Sequence, residues 1–142
     1  MAPIVLSASP AQNPKIAPAA SAMTLRGGKK PNFDAASIAE CVQMLSKGGL
    51  EPRVMVDCSH AQTNKDYTKQ PEVFAALIEQ VRDGSSAILG AMLESNLEAG
   101  SQPLGENRAA LKYGVSITDP CIDWATTERC LTEAAGALAS RK

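Results

Sequence analysis

Aromatic residues are scarce in this chain. Two Phe, two Tyr and one Trp make up 4% of its 142 residues, so the core has to be built from aliphatic side chains and alanine. Excess charge is absent as well. Lys and Arg nearly balance Asp and Glu, for a net charge of -1, which argues against a nucleic-acid binder or a membrane-surface protein. No apolar run approaches the roughly 20 residues that a membrane helix needs. Cys41, Cys58, Cys121 and Cys130 show no CxxC spacing, so neither a zinc ribbon nor a redox pair is expected. No secretory feature accompanies them, and they are expected to be reduced thiols of a cytoplasmic protein. What remains is an ordinary mixture of charged and apolar residues, of a length that suits one domain.

Met1 to Ala22 is rich in Ala, Pro and Ser and carries one charge, Lys15. It lacks the basic start and continuous apolar stretch of a secretory signal, and without arginine it matches an organelle transit peptide poorly. Pro3, Pro10, Pro14 and Pro18 argue against a helix or a central strand. Ile4-Val5-Leu6 is very short. Residues 1–22 are therefore expected to form a disordered tail, with a targeting segment as the alternative, and residues 23–142 a single domain.

From Met23 the texture changes to strand followed by helix, three times. Met23-Thr24-Leu25 ends in Arg26-Gly27-Gly28-Lys29-Lys30-Pro31. Asp34 is an N-cap for a helix with Ile38, Cys41, Val42 and Leu45 on one side, ended by Gly48-Gly49. Arg53 to Val56 is the second strand. Pro71 opens the next helix, with Val73, Phe74, Leu77, Ile78 and Val81 as its stripe and Gly84 as its stop. Ala87 to Leu93 is a continuous apolar run, as expected for a strand covered on both faces. A polar loop from Glu98 to Tyr113 is too long for a simple connector. A last helix is predicted over about Thr127 to Ser140, carrying Leu131, Ala134, Ala135 and Leu138, with Trp124 packed against it. The strands start at Met23, Arg53 and Ala87, about 30 to 35 residues apart. That is the spacing of βαβ units in a parallel sheet.

In a parallel sheet the C-terminal strand ends converge on one face. Here they deliver Arg26 with two glycines, then Asp57 and the only histidine, His60, then Glu94; Asp119 lies in the next polar turn. His60, Glu94 and Asp119 suit a divalent metal, because mixed N/O ligation fits Mn, Fe, Co or Zn, and a metal there can polarise a carbonyl. Arg26 beside Gly27-Gly28 suits a phosphate, because the guanidinium fork matches its oxygens and glycine lets an anion near the backbone. Blander readings stand beside these. A lone histidine is more often a satisfied hydrogen-bonding group. Gly-Gly is also ordinary turn chemistry. Glu94 and Asp119 are both able to cap the segments that follow them. Cys41 and Cys130 lie on helical apolar stripes and read as core.

Four ordered motifs extend this reading. They are Leu25-Arg26-Gly27-Gly28-Lys29 with Pro31-Asn32-Phe33-Asp34; Val56-Asp57-Cys58-Ser59-His60-Ala61 with Asn64-Lys65; Met92-Leu93-Glu94-Ser95-Asn96 with Glu98, Gly100 and Gln102; and Tyr113 to Asp119 with Cys121-Ile122 and Trp124. Together they resemble the C-terminal part of the microbial type I 3-deoxy-D-arabino-heptulosonate 7-phosphate (DAHP) synthases, which open the shikimate pathway to aromatic amino acids. The resemblance implies three consecutive βα units of a (β/α)8 barrel, here an open and incomplete one. It implies condensation of phosphoenolpyruvate with erythrose 4-phosphate, a divalent metal, and homo-oligomers for full-length members. By the same resemblance Arg26 would bind the phosphate of phosphoenolpyruvate. His60, Glu94 and Asp119 would be metal ligands, His60 and Asp119 the catalytic pair, and Asp119 would also lie near erythrose 4-phosphate.

Departures from the family accompany this. Its N-terminal half carries a cysteine metal ligand and most of the phosphate-binding Arg and Lys, and residues 1–23 resemble none of it. Pro120 stands where alanine is usual. Two functions remain open: a synthase or a piece of one, with the isolated chain expected to be inactive, and a non-catalytic module that at most binds phosphate or metal or pairs with a partner.

Overall fold

The computed structural model describes residues 23–139 and the backbone of residues 4–7. The chain is a mixed α/β structure with one four-stranded sheet. Its elements in order are β1 (Ile4–Ser7), β2 (Met23–Leu25), α1 (Ala35–Lys47), β3 (Val54–Asp57), α2 (Gln70–Arg82), β4 (Ile88–Leu93) and α3 (Trp124–Ala139), with short 3-10 turns between them. The sheet order is β1-β4-β3-β2. β2, β3 and β4 run parallel, as the strand–helix spacing predicts, and Leu25 pairs with Val56 while Asp57 pairs with Met92.

β1 corrects an expectation. Four residues of the stretch expected to be a disordered tail pair antiparallel with β4, Ile4 opposite Leu93 and Ser7 opposite Gly90. The outer edge of β4, expected to be open, is thus paired, while β2 remains an edge strand among the described residues. The rest of the tail, residues 1–3 and 8–22, lies outside them.

The helices form for the reasons their sequences give. Asp34 caps α1, accepting from the Ser37 amide at 3.0 Å and the Ser37 hydroxyl at 2.6 Å. Ile38, Cys41 and Leu45 are its buried stripe. Pro71 sits in the first turn of α2, which buries Val73, Phe74, Leu77 and Val81. These side chains meet Val54 and Val56 of β3 and Ile88, Ala91 and Leu93 of β4 in one aliphatic core. α3 starts three residues earlier than its apolar spacing suggests, because Asp123 caps it by accepting from the Thr126 amide at 2.7 Å. Its buried positions are Thr127, Cys130 and Ala134, with Leu131 and Leu138 partly covered. Ala135, expected on that stripe, is exposed. So, by half, is Trp124 at 49%, which corrects its reading as a packing residue.

Candidate metal and anion site

The three parallel strands end side by side, and the loops that leave them carry the polar residues. β3 ends in Asp57, which is fully buried. Its Oδ1 accepts from the Ser59 amide at 2.9 Å and the Ser59 hydroxyl at 3.0 Å. Its Oδ2 accepts from Arg26 Nε at 3.1 Å and lies 2.9 Å from His60 Nδ1. His60 opens a 3-10 turn with φ +50°, a left-handed backbone that costs a non-glycine residue energy and is often found at functional positions. That backbone turns the ring across the strand end. Its Nδ1 lies 2.6 Å from Ser59 Oγ, and its Nε2 lies 2.6 Å from Arg26 Nη2 and 3.7 Å from Glu94 Oε1.

Glu94 follows β4 and is held by its backbone. Gln70, fully buried at the start of α2, accepts from the Glu94 amide at 2.8 Å and donates to its carbonyl at 3.3 Å. Burial raises the Glu94 carboxyl above its ordinary value. His60 and a Ser59 hydrogen bond oppose that shift, while the charges of Asp119 and Asp57 add to it.

Asp119 arrives from the long loop, which is fastened rather than loose. Gln102 accepts from the Lys112 amide and donates to the carbonyls of Lys112 and Val115. Gly100 bridges to Cys121 and Ser95 to Ile122. The Ile122 amide donates to the Glu94 carbonyl at 3.0 Å, which brings the turn holding Asp119 back to β4. Asp119 caps no helix, since Asp123 does that for α3.

One nitrogen and two carboxylates thus meet: ligand atoms of His60, Glu94 and Asp119 all lie within 4.8 Å of one another. This donor set fits a divalent ion of the Mn to Zn series. A cavity of about 370 Å³ opens beside it, lined by Ser59, His60, Ala61, Thr63, Lys65, Tyr67, Glu94, Asp119 and Pro120. Arg26 does not line it but touches His60, which does, and about half of the Arg26 side chain is exposed. No cysteine is among the three clustered donors, though the Cys121 thiol donates to the Asp119 carbonyl at 3.5 Å. All four are buried, and burial raises each thiol, Cys58 most strongly.

The description DAHP synthetase I family is matched over residues 7–132. The chain belongs to this family. It is 51% identical over 120 residues to a phospho-2-dehydro-3-deoxyheptonate aldolase of Alternaria alternata, covering 83% of this chain and 32% of that one. It is 47% identical over 109 residues to the Tyr-sensitive aldolase of that name from Escherichia coli, covering 77% of this chain and 31% of that one. A solved aldolase of the same name from Francisella tularensis superposes with a TM-score of 0.76 at 41% identity, covering 84% of this chain and 34% of that one. The chain therefore spans about a third of the length of the curated DAHP synthetase I relatives it matches.

Within this family member the structure brings together the four residues that the sequence singles out, Arg26, His60, Glu94 and Asp119. Sequence reading missed the supports. Gln70 and Gln62 hold backbone from positions that look like ordinary loop and helix residues. Gln62 accepts from the Asn32 amide and donates to Asn32 Oδ1 and the Leu25 carbonyl, and so fixes the Arg26 loop. Only their burial marks them, and that has no signal in the local sequence.

Proposed function

We propose that this chain is the part of a DAHP synthase that holds the metal and the phosphoenolpyruvate phosphate: three consecutive βα units of a (β/α)8 barrel that condenses phosphoenolpyruvate with erythrose 4-phosphate. The observation that carries the reading is the cluster of His60, Glu94 and Asp119 at the parallel strand ends, with Arg26 against His60. His60 Nε2, a Glu94 oxygen and an Asp119 oxygen would hold the ion. When bound, it supplies Lewis acidity that polarises the erythrose 4-phosphate aldehyde.

The remaining roles belong to the chain's own groups. Nε2 has one lone pair, so Arg26 Nη2 and a metal ion cannot use it together. Arg26 keeps its Nε on Asp57 and turns its outer nitrogens to the phosphate, for which the guanidinium fork is suited. Asp119, the most exposed of the donors, stands where the aldehyde would enter. The aldehyde carbon is attacked by C3 of phosphoenolpyruvate, water adds at C2, and phosphate leaves from the resulting centre. Catalysis here is chiefly orientation and charge stabilisation.

The test is a chimera in which residues 24–139 replace the matching third of the Escherichia coli Tyr-sensitive relative. Condensation activity with added Mn²⁺ is expected, falling by about 10² or more with Glu94→Gln, in line with loss of a key electrostatic group. A folded chimera without activity would contradict the reading. Among the described residues the chain offers three donors and one arginine at this site, and the chain alone is expected to turn over the substrates far more slowly than the chimera.

A further inference from the structure

We infer that Asp57, which the proposed reaction does not use directly, is the positioning residue of this site: its buried carboxylate sets the tautomer of His60, so that the nitrogen facing Glu94 is the one with the free lone pair. The inference rests on the metal reading of His60 given above.

The argument is one of donors and acceptors. Arg26 Nη2 carries only hydrogens, and it lies 2.6 Å from His60 Nε2, so Nε2 has to accept. On the other side of the ring, Asp57 Oδ2 has only lone pairs and lies 2.9 Å from Nδ1. A bare Nδ1 lone pair would face it repulsively, so Nδ1 has to carry the hydrogen. Ser59 is neutral in this choice: its Oγ lies 3.0 Å from Asp57 Oδ1 and 2.6 Å from Nδ1 and pairs with either form of the ring. The Arg26 and Asp57 contacts select the Nδ1–H form.

Asp57 is built to be immobile. It is fully buried, and its other oxygen is fixed by the Ser59 amide and hydroxyl. Carboxylates that accept from the second nitrogen of a metal-binding imidazole commonly fix its orientation and add about 10- to 100-fold to metal affinity. Here the same Oδ2 also holds Arg26 Nε at 3.1 Å. One carboxylate oxygen therefore aims both the metal-facing and the phosphate-facing side chains. Asparagine has one acceptor oxygen and one donor nitrogen. It cannot accept from Ser59 on one side and from Arg26 and His60 on the other.

The chain has one histidine, so long-range ¹H–¹⁵N spectra of the full ¹⁵N-labelled chain read His60 alone. Without metal, the wild type is expected in the Nδ1–H form. Asp57→Asn is expected to show a mixed or reversed tautomer and about 10- to 100-fold weaker Zn²⁺ binding in the same tube. Ser59→Ala, which keeps the carboxylate, is expected to retain the wild-type tautomer. The inference fails if the wild type is Nε2–H, if Ser59→Ala reverses the tautomer, or if a folded Asp57→Asn leaves tautomer and Zn²⁺ affinity unchanged. The wild-type and Ser59→Ala spectra decide the matter even if Asp57→Asn does not fold. Absence of Zn²⁺ binding, with the tautomer shift still seen in Asp57→Asn, would sink the metal reading and uphold the hold of Asp57 on the ring.

Discussion

Gly27 has φ +74°, and a Cβ on it would lie 2.7 Å from the carbonyl carbon of Ala61. The Arg26 loop closes directly onto the His60 turn, and only a residue without a side chain permits it. Gly27→Ala is expected to cost about 1–3 kcal/mol, the range for a strained backbone, as a lowered urea midpoint with an unchanged slope. The same change would also move Arg26 away from Asp57. Read from sequence, the glycine pair suggests room for an anion. The actual reason lies on another strand end, which local spacing cannot show. Gly28 meets nothing within 4 Å, so its identity is not explained by packing. Arg26, His60 and Glu94 were legible as neighbours because strand ends in a parallel sheet share one face. Gln62 and Gln70 were not, because their partners are backbone atoms of distant loops.

At the scale of elements, apolar spacing located α1 and α2 well because each has an explicit start signal, Asp34 for one and Pro71 for the other. Asp34 is held below its ordinary value, chiefly by its hydrogen bond to the Ser37 hydroxyl and next by the Ser37 amide. A carboxylate depressed in the folded state contributes stability above its unfolded value of 3.8, and loses it as pH falls through the folded value. Asp34→Ala is therefore expected to destabilise by about 0.5–1 kcal/mol near pH 7, a modest figure for an exposed cap. The difference from wild type should shrink below the carboxylate range, as thermal melts at several pH values would show. The start of α3 was misplaced because Asp123 was not read as its cap. β1 went unread because a four-residue strand next to proline has too little pattern to stand out from an Ala- and Pro-rich stretch, and its pairing is with β4, far along the chain.

At the scale of the molecule, three parallel strands, two connecting helices and one fastened loop put a three-donor cluster on one face. The sheet order follows from the strand–helix rhythm. The return of Asp119 does not, since it depends on Gln102 and on the bridges that tie the long loop to itself and to β4. Membership of the DAHP synthetase I family and a span of about a third of its relatives' length make the cluster the part of the account that this chain can be asked to show by itself. The most direct measurement is calorimetric titration of the purified chain with Mn²⁺, beside His60→Ala, Glu94→Gln and Asp119→Asn. The account predicts one ion per chain, with each substitution weakening binding by at least about tenfold, as loss of a ligand should. Binding of wild-type strength in all three variants would contradict it.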